Sequence, residues 1–210
     1  MRFVYGMCIT FVILITISYF AQDLLLPNGY SDDANALLLA EQQKNADTAE
    51  RIANFYPSTA LNHIVLFNDF SCPNCKEEIP VIKRIMGEYD NNVEVTFAHL
   101  PNKVRDKEAF RASLSFECAL AEGQGIPYAD LLFQSQGSFS PELFFSFADS
   151  LSLDQNEFAL CVTANETAQK VLGDIDNAVL LNVQGTPTIF VNGKVLEGFQ
   201  SYDQIIRWMR

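Results

Sequence analysis

Cys72 and Cys75, separated by Pro73 and Asn74, place two thiols within one turn of chain. That spacing closes a disulfide with acceptable geometry. A strongly apolar run, His63 to Phe67, precedes the pair, and an amphipathic run, Glu77 to Tyr89, follows it. The order reads strand, Cys-x-x-Cys, helix. A thiol at a helix start meets unpaired N–H groups and the positive end of the helix dipole, and both favour its thiolate. Pro73 suits the first helical position, where its missing N–H costs nothing. The arrangement fits a thiol that attacks disulfides, or a disulfide that is attacked. Half a zinc site, a structural disulfide and a chance spacing are the bland readings. A zinc site needs a second close ligand pair. Cys118 and Cys161 stand far apart and His63 and His99 are the only histidines, so no metal site is expected. A structural disulfide leaves the position between strand and helix unexplained.

The elements that must hold this pair follow from the pattern. Ala34 to Tyr56 has helical character and Pro57 ends it. Val93 to Ala98 alternates as a second strand, closed by Pro101. From Asp106 to Leu181 the chain reads as helical. Phe110, Leu114, Cys118 and Ala121 recur at helical spacing, and Gly123 and Gly125 stop that helix. Ser140-Pro141 starts another, and capping boxes are expected at Asp154 to Glu157 and at Thr163 to Glu166. Phe158, Cys161 and Val162 share an apolar face. Ala168, Val171, Leu172, Ile175, Ala178 and Val179 predict the buried stripe of a long helix. Thr188 to Val191 and Lys194 to Leu196 flank Asn192-Gly193 as a hairpin, and Ser201 to Gln204 caps a helix running to Arg210. A helical block thus interrupts an α/β unit.

Composition is that of a globular chain, 49% hydrophobic and 12% aromatic, enough for a sizeable core. The formal net charge of −12 argues against nucleic acid, which requires clustered Lys and Arg. Phe3 to Ala21 carries no charge; Arg2 precedes it and Asp23 follows. It reads as an export segment with its N-terminus inside, either a cleaved signal peptide or an uncleaved anchor. Its length, and Tyr19 at −3 for cleavage after Ala21, favour the anchor. Cys8 is an ordinary residue of that segment. Outside the cytoplasm disulfides persist. The four remaining cysteines allow three connectivities, of which Cys72 with Cys75 and Cys118 with Cys161 is the expected one. Cys118–Cys161 reads as a staple between two helices, with a second redox pair as the alternative. Closing a loop of that length contributes about 4 kcal/mol in the chain-entropy model.

Phe67-Asn68-Asp69-Phe70-Ser71-Cys72-Pro73-Asn74-Cys75 and Val183-Gln184-Gly185-Thr186-Pro187-Thr188-Ile189-Phe190-Val191-Asn192-Gly193, in this order around a helical block, resemble the DsbA-like branch of the thioredoxin fold. The resemblance implies an α/β thioredoxin fold with a helical insertion, here preceded by the N-terminal apolar export or anchor segment. The organisation expected is 1–22 as signal peptide or membrane anchor, 23–57 as tether and N-terminal helix, 58–104 and 183–210 as the two parts of the thioredoxin fold, and 105–182 as the insertion. It implies Cys72 as the nucleophile or attacked sulfur and Cys75 as the buried resolving thiol, with Pro73 and Asn74 tuning the pair. It also implies a cis Pro187 beside the dithiol and main-chain hydrogen bonds to a substrate peptide from Thr186. Two departures stand out. DsbA has histidine at the place of Asn74, and Leu66 stands where thioredoxin and DsbA bury an acid. The function expected is an exported thiol-disulfide oxidoreductase, as oxidase, isomerase or reductase, acting on cysteine-containing envelope or secreted proteins. It needs no cofactor beyond its redox-active disulfide, is reset by a membrane redox partner, and works in the periplasm or at the extracytoplasmic face of the bacterial cytoplasmic membrane. The alternative is a non-catalytic thioredoxin-like module for metal binding or envelope assembly.

Overall fold

The computed structural model describes residues 30–101 and 107–210. The apolar segment Phe3 to Ala21, Cys8 and the expected boundary at 104/105 lie outside the described residues. Among the described residues no helix is long and apolar enough to cross a membrane. The chain divides into two compact units, Met1–Ala46 and Asp47–Arg210. Helix α1 (Tyr30–Phe55) begins in the first and ends in the second. Within the first unit it exposes Leu37, Leu38 and Leu39.

The second unit is built on four strands: β1 (Asn62–Asn68), β2 (Val93–His99), β3 (Thr188–Val191) and β4 (Lys194–Glu197). Their order in the sheet is β2-β1-β3-β4, with β2 parallel to β1, β3 antiparallel to β1 and β4 antiparallel to β3. Leu66 of β1 pairs with Phe97 on one side and Ile189 on the other. A central strand covered on both faces needs apolar side chains at every position rather than at alternate ones. Ile64 and Leu66 accordingly pack with Ile79, Ile82 and Ile85 of α2 (Pro73–Tyr89), while Val65 and Phe67 pack with Ile52, Tyr56, Ala178 and Phe190. The end of α1 is therefore part of the layer that covers the second face.

The insertion between β2 and β3 consists of α3 (Lys107–Ala121), α4 (Gly125–Gln134), α5 (Pro141–Ser150), α6 (Gln155–Thr163) and α7 (Asn165–Leu180); α8 (Tyr202–Ile206) follows the hairpin. Ser140 caps α5 by accepting from the Leu143 N–H, and Asp154 caps α6 by accepting from Asn156 and Glu157. The expected box there is only half made, because the Asp154 N–H donates to Glu122 rather than to Glu157, and the second expected capping box is not formed. Thr163 is the last residue of α6, and its hydroxyl donates back to the carbonyls of Ala159 and Leu160, so α7 starts at an Ala164 cap without a side-chain bond. The buried stripe of α7 is also rotated from the expected one: Thr167, Val171, Asp174 and Ala178 are buried, whereas Val179 is 74% exposed. Helix α8 ends at Ile206, short of Arg210, because the Arg210 N–H turns inward to Asn62 Oδ1 at 2.6 Å. Asn192 and Gly193 form the hairpin turn with φ of 50° and 84°. Gly193 is required twice over, since a Cβ there would lie 2.4 Å from that of Ala49 on α1.

A buried polar stitch joins the insertion to the sheet. His99, the last residue of β2, places its ring Nε2 2.7 Å from Glu117 Oε1, and Lys170 reaches the other oxygen of the same carboxylate. The His99 main-chain N–H donates to Asp174 at 3.0 Å, and the Tyr56 hydroxyl donates to the second Asp174 oxygen at 2.9 Å. Burial raises the Asp174 pKa. Burial also pushes on Glu117, but the hydrogen bonds from His99 and Lys170 outweigh it and hold that carboxyl below its ordinary range.

Candidate active site

After β1 the chain makes a tight turn whose polar groups are satisfied from two sources. Asp69 accepts the Cys72 N–H on its carbonyl at 2.9 Å and the Ser71 N–H on its side chain at 2.8 Å. Gln136, from the loop between α4 and α5, donates its Nε2 to the carbonyls of Phe70 and Cys72 at 2.8 and 2.9 Å. Rings of the insertion close on the same turn, with Phe133 and Phe116 at 5.0 and 5.2 Å from Phe70. Cys72 is the N-cap of α2, in extended conformation, and Pro73 occupies the first turn.

Both thiols of the pair are free; Cys72 is half-buried and Cys75 fully buried. The Thr186–Pro187 peptide is cis, and the Cys72 thiol lies 3.3 Å from the Thr186 carbonyl, to which it donates. Pro187 is buried beside this contact, its carbonyl accepting the Gly198 N–H at 2.9 Å. The structure thus brings Cys72, Cys75, Thr186 and Pro187 together. Pro73 and Asn74 are exposed at the helix start, and Asn74 addresses the Cys72 sulfur through its main-chain N–H. Cys118 and Cys161 are joined by a disulfide between α3 and α6, within the insertion.

The two thiols have opposite electrostatics. A hydrogen bond from Cys75 is the main influence on Cys72; burial opposes it, and the Thr186 side chain with the N–H groups of Cys75 and Asn74 completes the fall to about 6. Burial, and then the role of donor to Cys72, push the Cys75 thiol up. A proton therefore leaves Cys72 first and stays on Cys75.

Glu78 is a buried acid on the helix that carries the pair, and it was not singled out in the sequence. It lies three residues beyond Cys75 on the same helix, fully buried, and accepts the Gln200 N–H at 2.8 Å. Its Oε1 has no hydrogen-bond partner among the described residues, and burial lifts its carboxyl to about 7. The signal available was an acid inside the apolar stripe Cys75, Ile79, Ile82. Among the described residues no group of three or more His, Cys, Asp or Glu side chains is placed to hold a metal ion.

Residues 57–210 match the family model described as Thioredoxin. The chain belongs to this thioredoxin family. It is a DsbA-like member, with a mixed sheet and a helical insertion. Among solved structures it is similar to the thiol-disulfide exchange protein α-DsbA2 of Wolbachia pipientis, with a TM-score of 0.66 and 18% identity over 77% of this chain and 93% of that one. It is also similar to oxidised BdbD of Bacillus subtilis, with a TM-score of 0.62 and 25% identity over 71% and 86%. A curated relative, the Na(+)/H(+) antiporter NhaA 1 of Salinispora arenicola, is 31% identical over 138 residues, 66% of this chain and 21% of the relative. The chain spans about a fifth of the length of the curated relatives it matches.

Proposed function

We propose that this thioredoxin-family chain is a thiol-disulfide oxidoreductase that exchanges disulfides with cysteine-containing envelope or secreted proteins through Cys72 and Cys75. The observation that carries the reading is the half-buried Cys72 at a helix N-cap, 3.3 Å from Thr186 next to a cis Pro187, with Cys75 buried behind it. In the oxidised enzyme a substrate thiolate attacks Cys72 Sγ; a substrate–Cys72 disulfide forms, the Cys72–Cys75 bond breaks, and Cys75 leaves and takes up a proton. The second substrate thiolate then attacks the first substrate sulfur and releases Cys72 as a thiolate. The substrate loses two electrons and the enzyme gains them. Thr186, through its main chain, aligns the substrate peptide. A membrane redox partner removes the two electrons and restores the disulfide.

What supports the oxidising direction is the Cys72 pKa of about 6, since a stabilised thiolate stabilises the reduced enzyme. That value lies below the ~7 typical of thioredoxin and above the ~3.5 of DsbA. The apolar segment Phe3 to Ala21 supports an address at the extracytoplasmic face of a bacterial membrane, whether as anchor or as cleaved signal. The test uses Cys75→Ala, which cannot resolve a mixed disulfide. Incubated with a two-cysteine peptide in disulfide form, it is expected to trap the peptide on Cys72. No trapped adduct, together with stoichiometric Cu(I) binding by the reduced wild-type pair, would replace this reading by metal binding.

A further inference from the structure

The turn that presents Cys72 is held by two side chains with different origins. Asp69 belongs to the turn itself and takes its N–H groups. Gln136 comes from the insertion, 64 residues beyond Cys72, and takes its carbonyls. Phe133, in the last turn of α4, has its ring 5.0 Å from Phe70, so the insertion seats on the turn both by ring and by amide. The Cys72 carbonyl is also the first acceptor of α2, receiving the Lys76 N–H at a long 3.3 Å. The Gln136 amide at 2.9 Å is the shorter of its two bonds.

We propose that Gln136 is a positioning residue for the Cys72 sulfur: its amide, supplied by the insertion, fixes the N-cap geometry that aims the first-turn N–H groups at the thiolate. Two physical effects act together. An N-cap whose carbonyl is pinned keeps the Asn74 and Cys75 N–H groups converging on one sulfur position. The two donated N–H groups also offset the negative ends of the carbonyl dipoles that flank the thiolate. The helical insertion therefore sets part of the redox poise of the pair, and does not only cover it. This rests on the reading of Cys72 as the reactive thiol.

The test compares the full-length wild type with Gln136→Leu and Gln136→Glu. Three quantities are read: thiolate absorbance against pH, mass-spectrometric mapping of the cysteine alkylated first, and the equilibrium with glutathione. Cys75 and Asp69, the titratable groups that share the turn, are left in place by both variants. Gln136→Leu removes both donors, and a neutral hydrogen bond of about 1 kcal/mol corresponds to an about fivefold smaller thiolate-to-thiol ratio at a given pH. The glutathione equilibrium should shift by a similar factor toward the enzyme disulfide. Gln136→Glu sets a carboxylate against two carbonyls and should shift both readings further in the same direction. If Gln136→Leu does not fold, Gln136→Glu decides alone. A wild type alkylated first at Cys72, whose titration and glutathione equilibrium survive substitution, overturns this inference, even where the melting temperature falls. A wild type alkylated first at Cys75 overturns the reading of the site, and this inference with it.

Discussion

Cys118 lies within α3 and Cys161 within α6, 43 residues apart, and a disulfide joins them; Cys72 and Cys75 share one helical turn and stand as free thiols. The difference is one of surroundings. N–H groups from a helix start, a neighbouring thiol and Thr186 converge on the Cys72 sulfur, so its charged form is supported. Cys118 is 1% exposed in the apolar cluster that includes Phe116 and Ala119. A thiolate there would lose its hydration and gain no comparable set of donors. Cys161 is partly exposed, as Cys72 is, so exposure alone does not separate the pairs; convergent donors suit the Cys72 sulfur to exchange, whereas a bond between two neighbouring helices suits Cys118 and Cys161 to hold them.

Exchanging the roles gives the largest expected effect. Cys72→Ser should reduce disulfide exchange with a peptide substrate to background, whereas the double variant Cys118→Ala, Cys161→Ala should retain it. Equal loss in both, at equal stability, would make the second pair a relay. The same double variant should lose about 4 kcal/mol in denaturant unfolding, with the potential of the Cys72–Cys75 couple unchanged.

Glu78 sharpens the contrast, because it places a cost on the buried face of the redox helix where the insertion has a staple. Its carboxyl titrates at about 7 in the folded chain against 4.5 ordinarily. Between those values the folded state binds more protons than the unfolded one, so stability falls as pH rises. The cost is absent below pH 4.5, complete above about 7, and amounts to about 3 kcal/mol. Glu78→Gln should flatten this part of the stability curve; an unchanged slope would show that Glu78 is not its source. The smallest change concerns Asn74. Its side chain is exposed, so an imidazolium in Asn74→His acts on the sulfur through solvent-screened space. The Cys72 pKa should fall and the reduction potential rise together, both slightly; opposite movements would separate the potential from thiolate electrostatics.

Much of the fold was legible in the sequence because it depends on local patterns. The apolar run before Cys72, the Asn192-Gly193 turn and the Ser140 and Asp154 caps all reach the structure through neighbours in the chain. What was not legible is set by distant partners. Asp174 falls in the buried stripe of α7 because Tyr56 and His99 supply its hydrogen bonds, and no periodicity of α7 reports them. Thr163 was available for capping α7 but is spent on the end of α6. At the site, the motif identifies the two thiols, but Gln136 reaches the turn through tertiary proximity and has no signature of its own, while the buried Glu78 shows only as an acid inside an apolar stripe.

The Asp174 carboxylate is filled by groups from residues 56 and 99, one at the end of α1 and one at the end of β2. Withdrawing α7 would strand a buried tyrosine hydroxyl and a buried main-chain N–H at once. Local melting of the insertion thus carries a penalty charged to the sheet, and the sheet cannot keep its second layer without α7. The Asp47–Arg210 unit should accordingly unfold in a single cooperative transition, with amides of α7 and β2 exchanging with solvent at matching rates.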